Sequence, residues 1–245
     1  MSLQNFPRNA PFRRLAPLLA TALLAVASQA HADLASTVPP AQNFDMSHWK
    51  LTLPVDRNGG VGGEAMEMSP TQLMTMPGYT SKWFRTAGNG GLSMEAAING
   101  ATTSGSSYPR SELREQMVTG SDSANWYASG NAVLEAQLTI NNVPSTTGKM
   151  VVGQIHGVDA PPLVKLRYVW TASGGGKLDA LVKATPSSTT DVSYRLASNL
   201  PLKERFEYRI SVSRGVMTMS VNKEPPMQHV ISSQWASVGL YFKAG

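Results

Sequence analysis

Three short segments of this chain carry side chains that could act together on an anion. In Tyr108-Pro109-Arg110-Ser111-Glu112-Leu113-Arg114, a strand reading puts Tyr108, Arg110, Glu112 and Arg114 on one face, because side chains alternate with period two. Two guanidinium forks with a carboxylate between them suit a surface that holds an anion, with Glu112 fixing the arginines. An exposed ladder of ion pairs would read the same way. In Gln154-Ile155-His156 an amide and an imidazole share a face. That offers a neutral hydrogen-bond donor beside a candidate base, or else a satisfied structural histidine. In Leu240-Tyr241-Phe242-Lys243-Ala244, Leu240, Phe242 and Ala244 face the core while Tyr241 and Lys243 face the other way. The rows contain no pair of facing carboxylates of the kind glycoside hydrolysis uses.

The elements that must position these rows read as strands. Trp49, Leu51 and Leu53 alternate with Lys50 and Thr52 in a first strand spanning 44–55. Leu134 to Ile140, Val164 to Trp170 and Phe206 to Val212 alternate in the same way. Arg214-Gly215 reads as a tight hairpin turn into Val216 to Val221. Asp56 to Gly63 and Gly174 to Gly176 are loops. One short helix is expected near residues 70–76, where Ser69 can cap and Pro70 takes the first helical position. With no βαβ alternation, the fold class is all-β: a two-sheet antiparallel sandwich, a jelly roll, in one domain over 44–245 with an extended lead-in over 33–43.

Composition narrows the setting. Arg8, Arg13 and Arg14 precede an apolar run from Leu15 to Val26, and Ala30-His31-Ala32 fits a small-x-small cleavage site. Residues 1–32 therefore read as a signal peptide rather than a retained anchor, and the product is expected in the periplasm or the medium, with no membrane partner after cleavage. The segment holds three of the 21 basic residues and none of the 16 acidic ones, so 18 basic residues face 16 acidic ones afterwards. That balance leaves no global basic field for nucleic acid. There are no cysteines, which removes disulfides and thiolate chemistry.

Taken in order, the three rows resemble the signature blocks of the polysaccharide lyase family 7 alginate lyases. The Phe44 to Val55 and Pro161 to Tyr168 segments are similar to that family as well. The resemblance implies a jelly roll whose concave sheet takes a polyuronate chain, and a β-elimination of the 4-O-glycosidic bond that needs no metal or cofactor. Arg110 and Gln154 would neutralise the uronate carboxylate and His156 would act as base, making these three the expected catalytic residues. Tyr108, Glu112, Arg114, Lys165, Tyr241 and Lys243 are the expected substrate-binding residues. The chemistry is consistent with that assignment. The C5 proton of a uronate is weakly acidic because the adjacent carboxylate resists a second charge, and paired donors would stabilise the dianion as it forms. In the family a tyrosine two residues beyond the Ala-Gly of the third block supplies the acid. The 245 residues stop at that Ala244-Gly245, so a C-terminally truncated, weakly active or inactive fragment is expected, with the longer product active. Isoleucine at 155 resembles the variant acting on guluronate-containing blocks, acting indirectly because Ile155 should face the core. An endo-acting, monomeric, exported enzyme with alginate as its partner is the leading expectation. A non-catalytic polysaccharide-binding module and a lyase for another polyuronate such as glucuronan are the alternatives.

Overall fold

The computed structural model describes residues 34–245, and the signal-peptide expectation lies outside them. Fourteen strands follow in chain order among the described residues. They are β1 (Trp49–Thr52), β2 (Glu67–Met68), β3 (Phe84–Thr86), β4 (Leu92–Met94), β5 (Glu112–Glu115), β6 (Asn131–Thr139) and β7 (Lys149–Gly157). Then come β8 (Pro162–Thr171), β9 (Gly175–Val182), β10 (Val192–Ser198), β11 (Arg205–Ser213), β12 (Val216–Val221), β13 (Met227–Val230) and β14 (Leu240–Ala244). Eight of them form one sheet in the order β10-β9-β8-β7-β14-β5-β1-β2, four form a second in the order β13-β12-β11-β6, and β3 pairs with β4. Every pairing between these strands is antiparallel. This is the antiparallel jelly-roll sandwich that the alternating strands predict.

The two larger sheets close over a core that includes Ile155, Leu166, Tyr168, Ile210, Met219 and Phe242. These come from the inward positions of strands whose burial alternates, as in β11 and β12, so the apolar half of each strand drives the sheets together. Tyr208 spans the gap between them and donates its hydroxyl proton to the Val152 carbonyl at 2.8 Å, deep in the core. A second cluster, built on Leu51, Leu53, Leu73, Phe84 and Leu113, fills the space behind β1 and β5. The Arg214-Gly215 hairpin has positive φ at both residues, 49° and 81°, the turn whose twist matches that of its strands.

Local chemistry shortens several expected elements. The first strand is confined to Trp49–Thr52, because the Asp45 carboxylate accepts the Ser47 amide and turns the chain just before it. The helix α2 covers Pro70–Met74 with the full capping box of Ser69 and Gln72. It stops short of 76 because a residue before proline, here Met76 before Pro77, is disfavoured in helical geometry. Within the lead-in, Pro40–Asn43 form a short helix, α1, with Pro40 buried, where an extended segment is expected. Its neighbours Ala41 and Phe44 pack on the second cluster. The row from Tyr108 is strand only from Glu112. Pro109 cannot donate to a ladder, and the Ser106 hydroxyl captures the Tyr108 amide in a turn.

Candidate active site

The register of the large sheet places the polar rows side by side. On the face turned away from the core, Lys50 of β1 opposes Arg114 of β5, Arg114 opposes Lys243 of β14, Lys243 opposes Gln154 of β7, and Gln154 opposes Lys165 of β8. One step along, Tyr241 opposes His156. The inward neighbours Ile155 and Phe242 are buried in the core, so a slip by one residue would turn the whole row into the core and expose its apolar partners.

Beneath this row sits Glu112. Its Oε2 lies 2.7 Å from Lys243 Nζ and 3.1 Å from Arg110 Nη1, and its Oε1 accepts from Gln154 Nε2. Burial opposes ionisation of this carboxyl, but Lys243 and Arg110 outweigh it and hold the group below the usual glutamate range. Glu112, expected among the substrate-binding side chains, is therefore buried and committed to three neighbours. It orients Arg110, Gln154 and Lys243 from below. Arg110 reaches in from the segment before β5, tied also to the Ser106 hydroxyl. Its side chain keeps 23 % of its surface open. Gln154, buried as well, uses one N–H on Glu112 and retains a second.

His156 is fixed in tautomer and plane. Its Nδ1 lies 2.8 Å from the Gly157 carbonyl. A carbonyl only accepts, so Nδ1 carries the proton and Nε2 presents a lone pair. The Tyr241 ring stacks on the imidazole with centroids 5.4 Å apart and planes 17° from parallel. Burial pushes the imidazole below its ordinary range, and the positive charges of Lys243 and Arg110 add to that push against the Gly157 bond and Glu112. A neutral imidazole with an open Nε2, beside donors held by Glu112, can take a proton next to an anion.

Arg114 is placed differently from the expectation. Its guanidinium lies 3.9 Å from the Tyr241 ring centroid, Nη1 is 2.7 Å from Asp122 Oδ1, and Nη2 donates to the Asp122 carbonyl at 2.9 Å. It braces Tyr241 and the loop after β5. Tyr108 lies off the row altogether: it sits in the turn and is 78 % exposed. Lys165 does join the row, and its Nζ is 3.1 Å from Asp191. Sequence reasoning missed several partners. Asp122 also binds Lys50 at 2.6 Å, Asp191 binds Lys183 at 3.0 Å, and Asp179 contacts Arg167 and Arg195. Lys165 and Arg167 alternate visibly in β8, but the acids come from distant loops and strands, and no local spacing connects them.

Known proteins share this arrangement of strands. A family model described as alginate lyase matches residues 44–245. An alginate lyase of Klebsiella pneumoniae is 27 % identical, over 86 % of this chain and 84 % of its own length. The crystal structure of alginate lyase PA1167 from Pseudomonas aeruginosa is 38 % identical over 82 % of this chain and 88 % of that one, with a TM-score of 0.73. Alginate lyase A1-II', a member of polysaccharide lyase family 7, is 34 % identical over 85 % of this chain and 88 % of that one, with a TM-score of 0.74. A histidine-to-asparagine, tyrosine-to-phenylalanine double variant of A1-II' has been crystallised with its substrate, GGMG. With a family match over nearly all of the described residues and solved relatives sharing the fold, the chain belongs to the alginate lyases of polysaccharide lyase family 7.

Proposed function

We propose that the protein cleaves the 4-O-glycosidic bonds of alginate by β-elimination, acting within the chain after export. The observation that carries this reading is the Glu112-centred cluster beside His156. Glu112 aims Arg110 and Gln154 at one place while the Nε2 lone pair of His156 is left open. Arg110 and the second N–H of Gln154 bind the uronate carboxylate. His156 Nε2 takes the C5 proton, and the electron pair left on carbon is delocalised into the carboxylate, where the same donors stabilise it. Breaking the C4–O4 bond then forms the C4–C5 double bond, and O4 leaves with a proton. The family resemblance implies a tyrosine as the donor of that proton.

The open, eight-stranded face from β10 to β2 supports attack within a polymer. The basic and apolar leader with Ala30-His31-Ala32 supports export to the periplasm or medium. Arg110, Glu112, Gln154 and His156 all come from one copy of the chain, which supports a monomer. The substrate-bound relative, captured with both a histidine and a tyrosine replaced, supports a role for a histidine in turnover. The buried Ile155 supports the indirect route by which that position would favour guluronate-containing blocks.

The test is the ultraviolet absorbance of the unsaturated product on poly-mannuronate, poly-guluronate and glucuronan. Preference for glucuronan would move the substrate. Unchanged turnover in His156→Ala would remove the base. Adding the tyrosine-bearing segment of the family's third block to the 245-residue chain tests the proton donor: a large gain supports that tyrosine, and equal activity transfers the role to Tyr241. Intact binding without turnover even in the lengthened chain would favour a binding module.

A further inference from the structure

The charge on the outer face of the large sheet is uneven. On the β1–β5 side, Lys50 and Arg114 are matched by Glu67 and Asp122. On the β8–β10 side, Lys165 and Lys183 share Asp191, and Arg167 and Arg195 share Asp179. Four cations there face two carboxylates, so this half of the face carries the larger net positive charge; on the other half only the Arg110 and Lys243 pair on Glu112 leaves a cation unmatched. Register puts Arg167 of β8, Asp179 of β9 and Arg195 of β10 in one row across three strands. That row runs parallel to the one through Gln154 and Lys165, and β9 and β10 are two and three strands away from β7, or roughly 10 to 14 Å at the usual strand spacing.

The two arginines are held but not saturated. Arg195 gives Nε to Asp179 and Nη1 to the Ser198 hydroxyl at 3.3 Å, and its side chain is 46 % exposed. Arg167 stands 3.7 Å from Asp179 through Nη2, beyond hydrogen-bond range; its Nε is buried without a partner, and with the side chain 30 % exposed the terminal nitrogens are the ones left for a ligand. Asp179 is buried beneath both, as Glu112 is beneath Arg110 and Lys243. A guanidinium pair oriented by a buried carboxylate, with donor capacity left over, matches the planar carboxylate of a uronate.

From this we propose that Arg167, Asp179 and Arg195 form a distal subsite that takes the carboxylate of a uronate several sugars from the cleaved bond. The polymer is then gripped chiefly on the β8–β10 side of His156. This rests on the polyuronate-lyase reading and extends it by naming where the chain is held. Lys165 of β8, beside Gln154 and held by Asp191, lies between the distal pair and the catalytic groups and carries an intervening carboxylate.

Titration with size-defined uronate hexamers, in a His156→Asn background so that the oligomer is not consumed, tests the subsite. Arg195 lies on the edge strand β10 with an exposed side chain, so Arg195→Gln should keep the parent melting curve. It is expected to weaken hexamer binding about tenfold, the worth of one charge-assisted contact, at an unchanged stoichiometry of one. Arg209→Gln removes an exposed cation from the opposite sheet, where it pairs with Glu135, and is expected to bind as the parent does. Parent affinity in Arg195→Gln, or an equal loss in Arg209→Gln, would overturn the distal subsite. A lengthened chain, carrying the proton-donating tyrosine, that binds hexamers but cleaves no polyuronate would sink the lyase reading and leave the subsite standing. A parent that binds none overturns both.

Discussion

The imidazole of His156 and the phenol ring of Tyr241 lie face to face, 5.4 Å between centroids, and Arg114 covers the other side of the tyrosine ring at 3.9 Å. Three planes from three neighbouring strands thus make one stack, and its outer member is fixed by Asp122. On the proposed mechanism Tyr241 positions the base through its ring rather than its hydroxyl. Tyr241→Phe should retain near-parental kcat, whereas Tyr241→Leu should lose about 3- to 10-fold in kcat with a smaller change in KM, the worth of an aromatic stacking contact. Steady-state kinetics of the pair decides, and a large loss in Tyr241→Phe would assign the hydroxyl a chemical role.

Glu112 is the anion on which Arg110, Lys243 and Gln154 converge. Glu112→Gln leaves two cations without their partner and should destabilise the fold by about 3 kcal/mol, as breaking a buried ion pair does. Urea denaturation measures the loss. A variant as stable as the parent would show that Lys243 and Arg110 find other partners.

The same carboxyl sets a pH limit on stability. Its folded-state pKa lies below the ordinary value of 4.5, with Lys243 and Arg110 overcoming burial. The ionised form therefore stabilises the fold at pH values above that ordinary range, and the contribution is lost as pH falls through the depressed value. Thermal midpoints of the parent and Glu112→Gln should differ at neutral pH and converge in acid.

In the proposed elimination only the neutral imidazole of His156 can accept the C5 proton. Burial, reinforced by Lys243 and Arg110, holds it below the ordinary 6.5, so the acid limb of kcat/KM should fall below that value and activity should be level just above it. Lys243→Met removes one of the positive charges and should move the limb towards higher pH. His156→Ala should cost about 10²- to 10⁴-fold in kcat, the range for a positioned general base. A pH profile unchanged in Lys243→Met would discount that electrostatic coupling.

Gly153 lies directly under Gln154, where the β7–β8 register shifts between Val151 and Gly153. A Cβ there would stand 2.5 Å from the Tyr208 hydroxyl oxygen and 2.8 Å from its ring. That hydroxyl is buried on the Val152 carbonyl and has little room to retreat. Gly153→Ala should therefore destabilise by roughly 1–3 kcal/mol, as overpacking does, and thermal melting checks it.

The strands with strict alternation, Leu134 to Ile140, Val164 to Trp170 and Phe206 to Val212, were legible in the sequence, because a half-buried strand must alternate to bury one face. The same rule put Gln154 with His156 and Tyr241 with Lys243, and the capping box of Ser69 and Gln72 is likewise a local pattern. What period two could not reveal is which acid lies under which base. Glu112 meets Gln154 across 42 residues of chain and Lys50 meets Asp122 across 72, the first closed only when β14 inserts between β5 and β7 and the second when β1 pairs with β5. Tyr108 left its row because a serine side chain two residues earlier captured its amide, a competition that alternation does not encode. The amino-acid order by itself determined the all-β architecture and the outward polar rows, since both follow from contacts a few residues apart. Tertiary structure alone decided that Glu112 is a buried anchor, that Arg114 braces Tyr241, and that the β8–β10 half carries the larger excess charge. Each depends on ion pairs between strands brought together by packing of the core.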